Sequence, residues 1–137
     1  MAEPFQFELV SPERLLLSGP VDQVVVPGSE GYFTVLKGHA PFMSTLRPGV
    51  VDVIRGEGDI RIFVRGGFAD VSTSGLTILA EQAIPLDEVD AAMLAQEVQN
   101  AEEDVADAKD GAARDIAALR LHQLKEVQAA LGPSAAH

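Results

Sequence analysis

The sequence predicts a β-sandwich of about ten strands followed by a C-terminal antiparallel two-helix hairpin. Three observations lead there. Up to Pro85 the apolar residues come in short runs divided by glycine and proline. After Pro85 they recur every three or four residues, and a glycine-bearing break splits this second part in two. Short strands with turn signals roughly every 8–12 residues belong to a sandwich or barrel, and three-four recurrence belongs to an amphipathic helix. The expected domains are therefore residues 1–85 and residues 86–137.

Taken in order, Phe5 to Val10 alternates apolar and polar residues, as a half-buried strand does. Val21 to Val26 is a valine-rich run ended by Pro27-Gly28. Val50 to Ile54 and Ile60 to Val64 flank Arg55-Gly56-Glu57-Gly58-Asp59, which predicts a hairpin loop. Phe68 to Val71 and Leu76 to Leu79 flank a second turn at Ser72-Thr73-Ser74-Gly75. Beyond Pro85, Asp87 is the expected N-cap, with Glu88 in the first turn to complement the helix dipole. Leu94, Val98, Ala101, Val105 and Ala108 form one apolar stripe, and Lys109-Asp110-Gly111 breaks the helix. Ala113, Ala117, Leu121, Leu124 and Leu131 form the second stripe, ended by Gly132-Pro133. The tail Ser134 to His137 is expected to fray. Each helix is about 20 residues, or about 30 Å, long. The first stripe is mainly alanine and valine, so the seam buries little apolar area and contributes little at about 25 cal/mol per Å². The hairpin is then expected to pack on the sandwich, on a partner, or to alternate between them.

Composition excludes several function classes. The 137 residues carry a formal net charge of −11. Residues 1–86 hold 10 acids and 6 bases, net −4, and residues 87–137 hold 11 acids and 4 bases, net −7. A nucleic-acid partner needs clustered Lys and Arg, which are absent, and an anionic lipid surface would repel this charge. No apolar run approaches the roughly 20 residues that span a bilayer, and the Met1 to Pro4 start has no signal-peptide character. Zero cysteines exclude disulfides and thiol chemistry.

No catalytic, metal or cofactor constellation is visible. His39, His122 and His137 are the only histidines, and none has ligand partners at metal spacing. No serine stands in Gly-x-Ser-x-Gly. Gly28-Ser29-Glu30-Gly31 lacks the lysine of a phosphate cradle. A sugar-binding or enzymatic sandwich would need convergent aromatic and polar groups, yet the chain has no Trp and one Tyr. The residues point to a two-module interaction protein.

Residues 24–49, VVVPGSEGYFTVLKGHAPFMSTLRPG, closely resemble the epsilon subunits of F-type ATP synthases. Pro-Gly-Ser-Glu-Gly at 27–31, Gly-His-Ala-Pro at 38–41 and Arg-Pro-Gly at 47–49 carry the match. Gly66-Gly67-Phe68, Leu79-Ala80-Glu81 and Val10-Ser11-Pro12-Glu13 extend it, so that it covers residues 5 to about 130. The absence of a transit peptide points to a bacterial version. The resemblance implies a ten-stranded sandwich with a helical hairpin and a non-catalytic place in the central stalk. The partners it implies are the gamma subunit and the ring of c subunits, so the chain would be peripheral, on the cytoplasmic face of the bacterial inner membrane.

The resemblance also implies site residues. The ring-facing end corresponds to Glu30, Gly31 and Tyr32, and the gamma-facing positions to Ser11, His39 and Ser44. Many relatives have an acid at position 32 and a glycine at 34, where this chain has Tyr32 and Thr34. Glu30 is then the expected acceptor for basic groups of the ring, and Tyr32 is expected to supply packing and one hydroxyl. Gly28, Gly31 and Gly38 are expected to supply positive φ or close approach of another chain. In bacterial relatives the hairpin lies folded on the sandwich or extends along gamma into the alpha and beta subunits, and the extended form blocks hydrolysis, often through basic residues. Here the second helix offers only Arg114, Arg120 and Lys125, which predicts weak or absent inhibition. Some relatives bind ATP through Ile/Leu-Asp-x-x-Arg-Ala. Leu86, Asp87 and Ala91 match, but Asp90 replaces the arginine, which predicts no ATP binding and no cofactor.

Overall fold

The structure, a computed structural model, describes residues 3–131. The Gly132-Pro133 stop, the tail to His137 and the first two residues lie outside the described residues. The chain divides into two compact units, Met1–Pro85 and Leu86–His137.

The first unit contains β1 (Phe5–Val10), β2 (Leu15–Val21), β3 (Gln23–Gly28), β4 (Gly31–Val35) and β5 (Phe42–Thr45), followed by β6 (Gly49–Ile54), β7 (Ile60–Ser72) and β8 (Gly75–Pro85). They form one hydrogen-bonded path, β2-β1-β8-β7-β6-β3-β4, with β5 paired to β7 off the path. All pairs are antiparallel except β1 with β8.

The sandwich arises because β7 and β8 serve both layers. The first half of β7 pairs with β6 (Ile60 to Val64), and the second half pairs with β5 (Phe68 to Val71). β8 runs beside β7 throughout, from Ser72–Gly75 to Ile62–Pro85. Only its first half pairs with β1. The path therefore folds on itself at Gly66-Gly67, where φ is +74° and +103°. A Cβ at Gly67 would fall on the carbonyl of Leu79. About ten short strands were expected, and eight stand among the described residues. Counting the two halves of β7 and of β8 separately restores the larger number.

Alternation fills the space between layers. Phe7, Leu9, Ala69 and Ile78 come from one layer and Val24, Val26, Val51 and Val53 from the other, all fully buried. The expected loop at Arg55–Asp59 closes the β6–β7 hairpin. There the Gly58 N–H donates to the Arg55 carbonyl at 3.1 Å, and the Arg55 Nε–H donates back to the Gly58 carbonyl at 2.9 Å.

In the second unit, Leu86–Glu88 is a single 3-10 turn. α1 (Ala91–Asp107) and α2 (Gly111–Leu131) follow. The expected N-cap Asp87 is displaced. The cap is Asp90, whose extended backbone (φ −86°, ψ 111°) lets Oδ1 accept from the N–H groups of Ala92 and Met93. Asp110 caps α2 through the Ala113 N–H at 2.7 Å. α1 buries Leu94, Val98 and Ala101 of the predicted stripe. On α2, Ala113 is exposed, Ala117, Leu121, Leu124 and Leu131 are half-buried, and the fully buried residue is Val127.

Candidate docking surfaces

One end of the sandwich is built from two segments, the β3–β4 turn and the link from β5 to β6. The Ser29 N–H donates to the Thr45 carbonyl at 2.9 Å, the Arg47 N–H donates to the Pro27 carbonyl at 3.1 Å, and Gly28 bridges to Leu46. Side chains add a further tie. The Tyr32 hydroxyl accepts from the Val50 N–H at 3.1 Å, and the Arg47 guanidinium lies 5.4 Å from the centre of the Tyr32 ring. Gly49 has no side chain because the Tyr32 hydroxyl and Pro27 occupy the place of a Cβ. Thus Tyr32, expected to offer its hydroxyl outward, uses it within the chain while its ring stays half exposed, 50%. Glu30 and Arg47 are exposed, and neither makes an ion pair among the described residues. Of the three turn glycines, Gly31 and Gly38 take φ of +131° and +85°. Gly28 instead meets the Phe33 ring where a Cβ would stand.

Ser11, His39 and Ser44 do not converge on one point. Ser11 is buried and closes the β1–β2 turn through reciprocal backbone bonds with Arg14. Its hydroxyl donates toward Glu13 at 3.2 Å. Ser44 sits in β5 opposite Ala69, and its hydroxyl donates to the Thr45 carbonyl at 2.8 Å. His39 follows β4 and its Nδ1–H donates to the Ala40 carbonyl at 2.9 Å. It lines an open cavity of about 330 Å³ together with Phe5, Lys37, Ser72 and Gly75. By register, Ser11 and Ser44 lie toward one end of the layer holding β1, β2 and β5, and His39 toward the other.

The outer face of that layer carries a feature that the sequence reading missed. The cross-strand row Thr45–Phe68–Leu79–Val10–Leu15 places four apolar side chains side by side on the face away from the core. Phe68, Leu79 and Leu15 are 37–54% exposed. Met43, at 62%, stands in the adjoining row beside Asp70, Thr77 and Glu8. An apolar row rimmed by polar residues marks an interaction surface. The signal was present in Phe68-Ala69-Asp70-Val71, whose alternation sends Phe68 outward once Ala69 is buried.

In the hairpin, Arg120 faces Glu97 and Lys125 faces Glu102, each at 3.9 Å, across the two helices. Arg114 is exposed in the first turn of α2. Among the described residues no three His, Asp or Glu side chains gather as metal ligands. No helix there is long and apolar enough to cross a membrane.

A sandwich end tied by backbone bonds and an apolar outer row are features of a module that docks other chains. The comparisons with known proteins specify it. Residues 4–86 match the sequence model of the ATP synthase delta/epsilon chain beta-sandwich domain. An ATP synthase epsilon chain from Parvibaculum lavamentivorans is 55% identical, covering 93% of this chain and 98% of the relative. Another from Mesorhizobium japonicum is 52% identical, covering 98% and 100%. Among solved structures, a chain of the Euglena gracilis mitochondrial ATP synthase (OSCP, F1 and c-ring) superposes with a TM-score of 0.77 at 27% identity, covering 93% of this chain and 81% of that one. A chain from the central stalk and c-ring of the Tetrahymena thermophila enzyme shares the fold, with a TM-score of 0.65 at 14% identity, covering 95% of this chain and 98% of that one. The chain belongs to the ATP synthase epsilon chain family.

Proposed function

We propose that this chain is a rotor subunit of the central stalk of a bacterial F-type ATP synthase. It joins the gamma subunit to the c ring and helps couple proton flow to ATP synthesis, with no chemistry of its own. Family membership over nearly the whole chain carries this reading. Residues 1–85 act as the docking module and residues 86–137 as the helical domain. The end bearing Glu30, Gly31 and Tyr32 meets the polar loops of the ring. The layer bearing Ser11, His39 and Ser44, with its apolar outer row, meets gamma. The protein is held at the cytoplasmic face of the inner membrane through these protein partners.

Regulation through the hairpin is weak in this reading. Arg120 and Lys125 are already opposite acids of α1, so few cations remain for the alpha and beta subunits. Nucleotide sensing is disfavoured by the Asp90 cap. Its carboxylate takes the N–H groups at the start of α1, and it puts an anion where the motif has a phosphate-binding cation. The test is capture of purified gamma and c ring by the full chain. Retention of both, lost selectively for gamma in Phe68→Ser/Leu79→Ser, supports the reading; retention of neither overturns it.

A further inference from the structure

Arg47 carries an inference that rests on the ring-docking reading and deepens it. Three features of this arginine, taken together, bear on its role. Its backbone is fixed, because its N–H donates to the Pro27 carbonyl and its neighbour Leu46 bridges to Gly28. Its guanidinium lies over the Tyr32 ring, 5.4 Å from the ring centre, and that ring is itself anchored by the bond from the Val50 N–H to its hydroxyl. And it faces no carboxylate. Arg55 and Arg61 of the same unit face Glu57 and Asp52, whereas Arg47 has no ion pair among the described residues.

A guanidinium that stacks on an aromatic face keeps its edge donors free, and those donors fit a planar carboxylate in a fork. The turn that holds Glu30 is tied to the Arg47 segment by the Ser29–Thr45 bond. One end of the sandwich thus presents an acid and a base on a common rigid frame.

We propose that Arg47 is a specificity-determining docking residue that recognises an acidic side chain on the partner ring, and that Tyr32 is its positioning residue. The partner surface must then display a carboxylate as well as the basic group that meets Glu30. A surface carrying only basic groups is repelled by Arg47. The pair fixes the register of the subunit on the ring, since exchanging the two charges would reverse both contacts.

The experiment uses the full chain and the detergent-solubilised ring of its own complex, with binding followed by interferometry at several salt concentrations. Arg47→Gln is expected to weaken ring binding about tenfold, as for a charge pair that is at least partly desolvated, and to flatten the salt dependence. Binding to gamma should be unchanged. Tyr32→Leu should also weaken ring binding, and Tyr32→Leu/Arg47→Gln should lose less than the sum of the two single changes, because part of the effect of Tyr32 runs through the arginine beside it. Arg47→Lys supplies an amine at the same place, and a carbodiimide should join it to a carboxylate of the ring, located by mass spectrometry. Ring binding by the unaltered chain with undiminished Arg47→Gln affinity, or no cross-link from the amine introduced by Arg47→Lys, overturns this proposal alone. Absence of ring binding by the unaltered chain overturns the docking reading itself.

Discussion

Replacing Gly67 by alanine tests the physical basis of the sandwich. Gly67 has φ +103°, and its Cβ would fall on the Leu79 carbonyl across the β7–β8 ladder. Two costs arise: a backbone conformation that L residues rarely adopt, about 1–3 kcal/mol, and overlap with neighbouring backbone, about 1–3 kcal/mol. Together they predict a loss of about 4 kcal/mol. For a domain of this size about 1 kcal/mol shifts Tm by roughly 4–8 °C, so Tm should fall by roughly 15–30 °C. Gly58 is the control: its φ is +127°, but nothing lies within 4 Å of its Cβ position. Gly58→Ala should show only the first cost, about 1–3 kcal/mol. Calorimetry of the full chain with both variants separates conformational strain from collision. Equal Tm losses in the two would refute the argument that the close β7–β8 approach at the bend requires glycine.

Gly49→Ala should cost about 1–3 kcal/mol in urea unfolding, because the new methyl displaces the Tyr32 hydroxyl from the Val50 N–H. Asp90→Ala removes the α1 cap and should cost about 1 kcal/mol, read as reduced helicity and a lower midpoint by far-UV circular dichroism, whereas Asp87→Ala should cost less. Calorimetry with ATP should give no heat of binding at millimolar nucleotide, and binding tighter than that would contradict the role assigned to Asp90. Removing residues 87–137 should leave ATP hydrolysis by the assembled complex little changed; a several-fold rise would show that the hairpin inhibits after all.

Much of this was legible in the residues. The change of pattern at Pro85, the Arg55–Asp59 loop and the break before Gly111 all depend on local chemistry, and local chemistry is what a sequence displays. The misplaced features depend on pairing between distant segments or on a local backbone choice that residue types alone leave open. Ile60–Val64 and Phe68–Val71 read as separate strands because two glycines divide them, yet their continuous pairing with β8 makes them one bent strand. Asp87 and Asp90 are equally good caps by type, and only the 3-10 turn at Leu86–Glu88 assigns the cap to the second. Val127 is easily overlooked because the leucines at 121, 124 and 131 already make a stripe. For the site, the glycines around Glu30 mark its turn in the sequence alone. The coupling of that turn to Arg-Pro-Gly at 47–49 is different. One motif supplies the aromatic ring and the other the stacking cation and the space, and only the folded chain brings them together.

The most direct measurement is reconstitution. Membranes stripped of this subunit should regain ATP-driven proton pumping when the full chain is added, in one-to-one stoichiometry with gamma, while the isolated chain turns over nothing. Restored binding without restored pumping, or a free monomer that ignores both gamma and the ring, would contradict the claim that these surfaces exist to couple one protein to another.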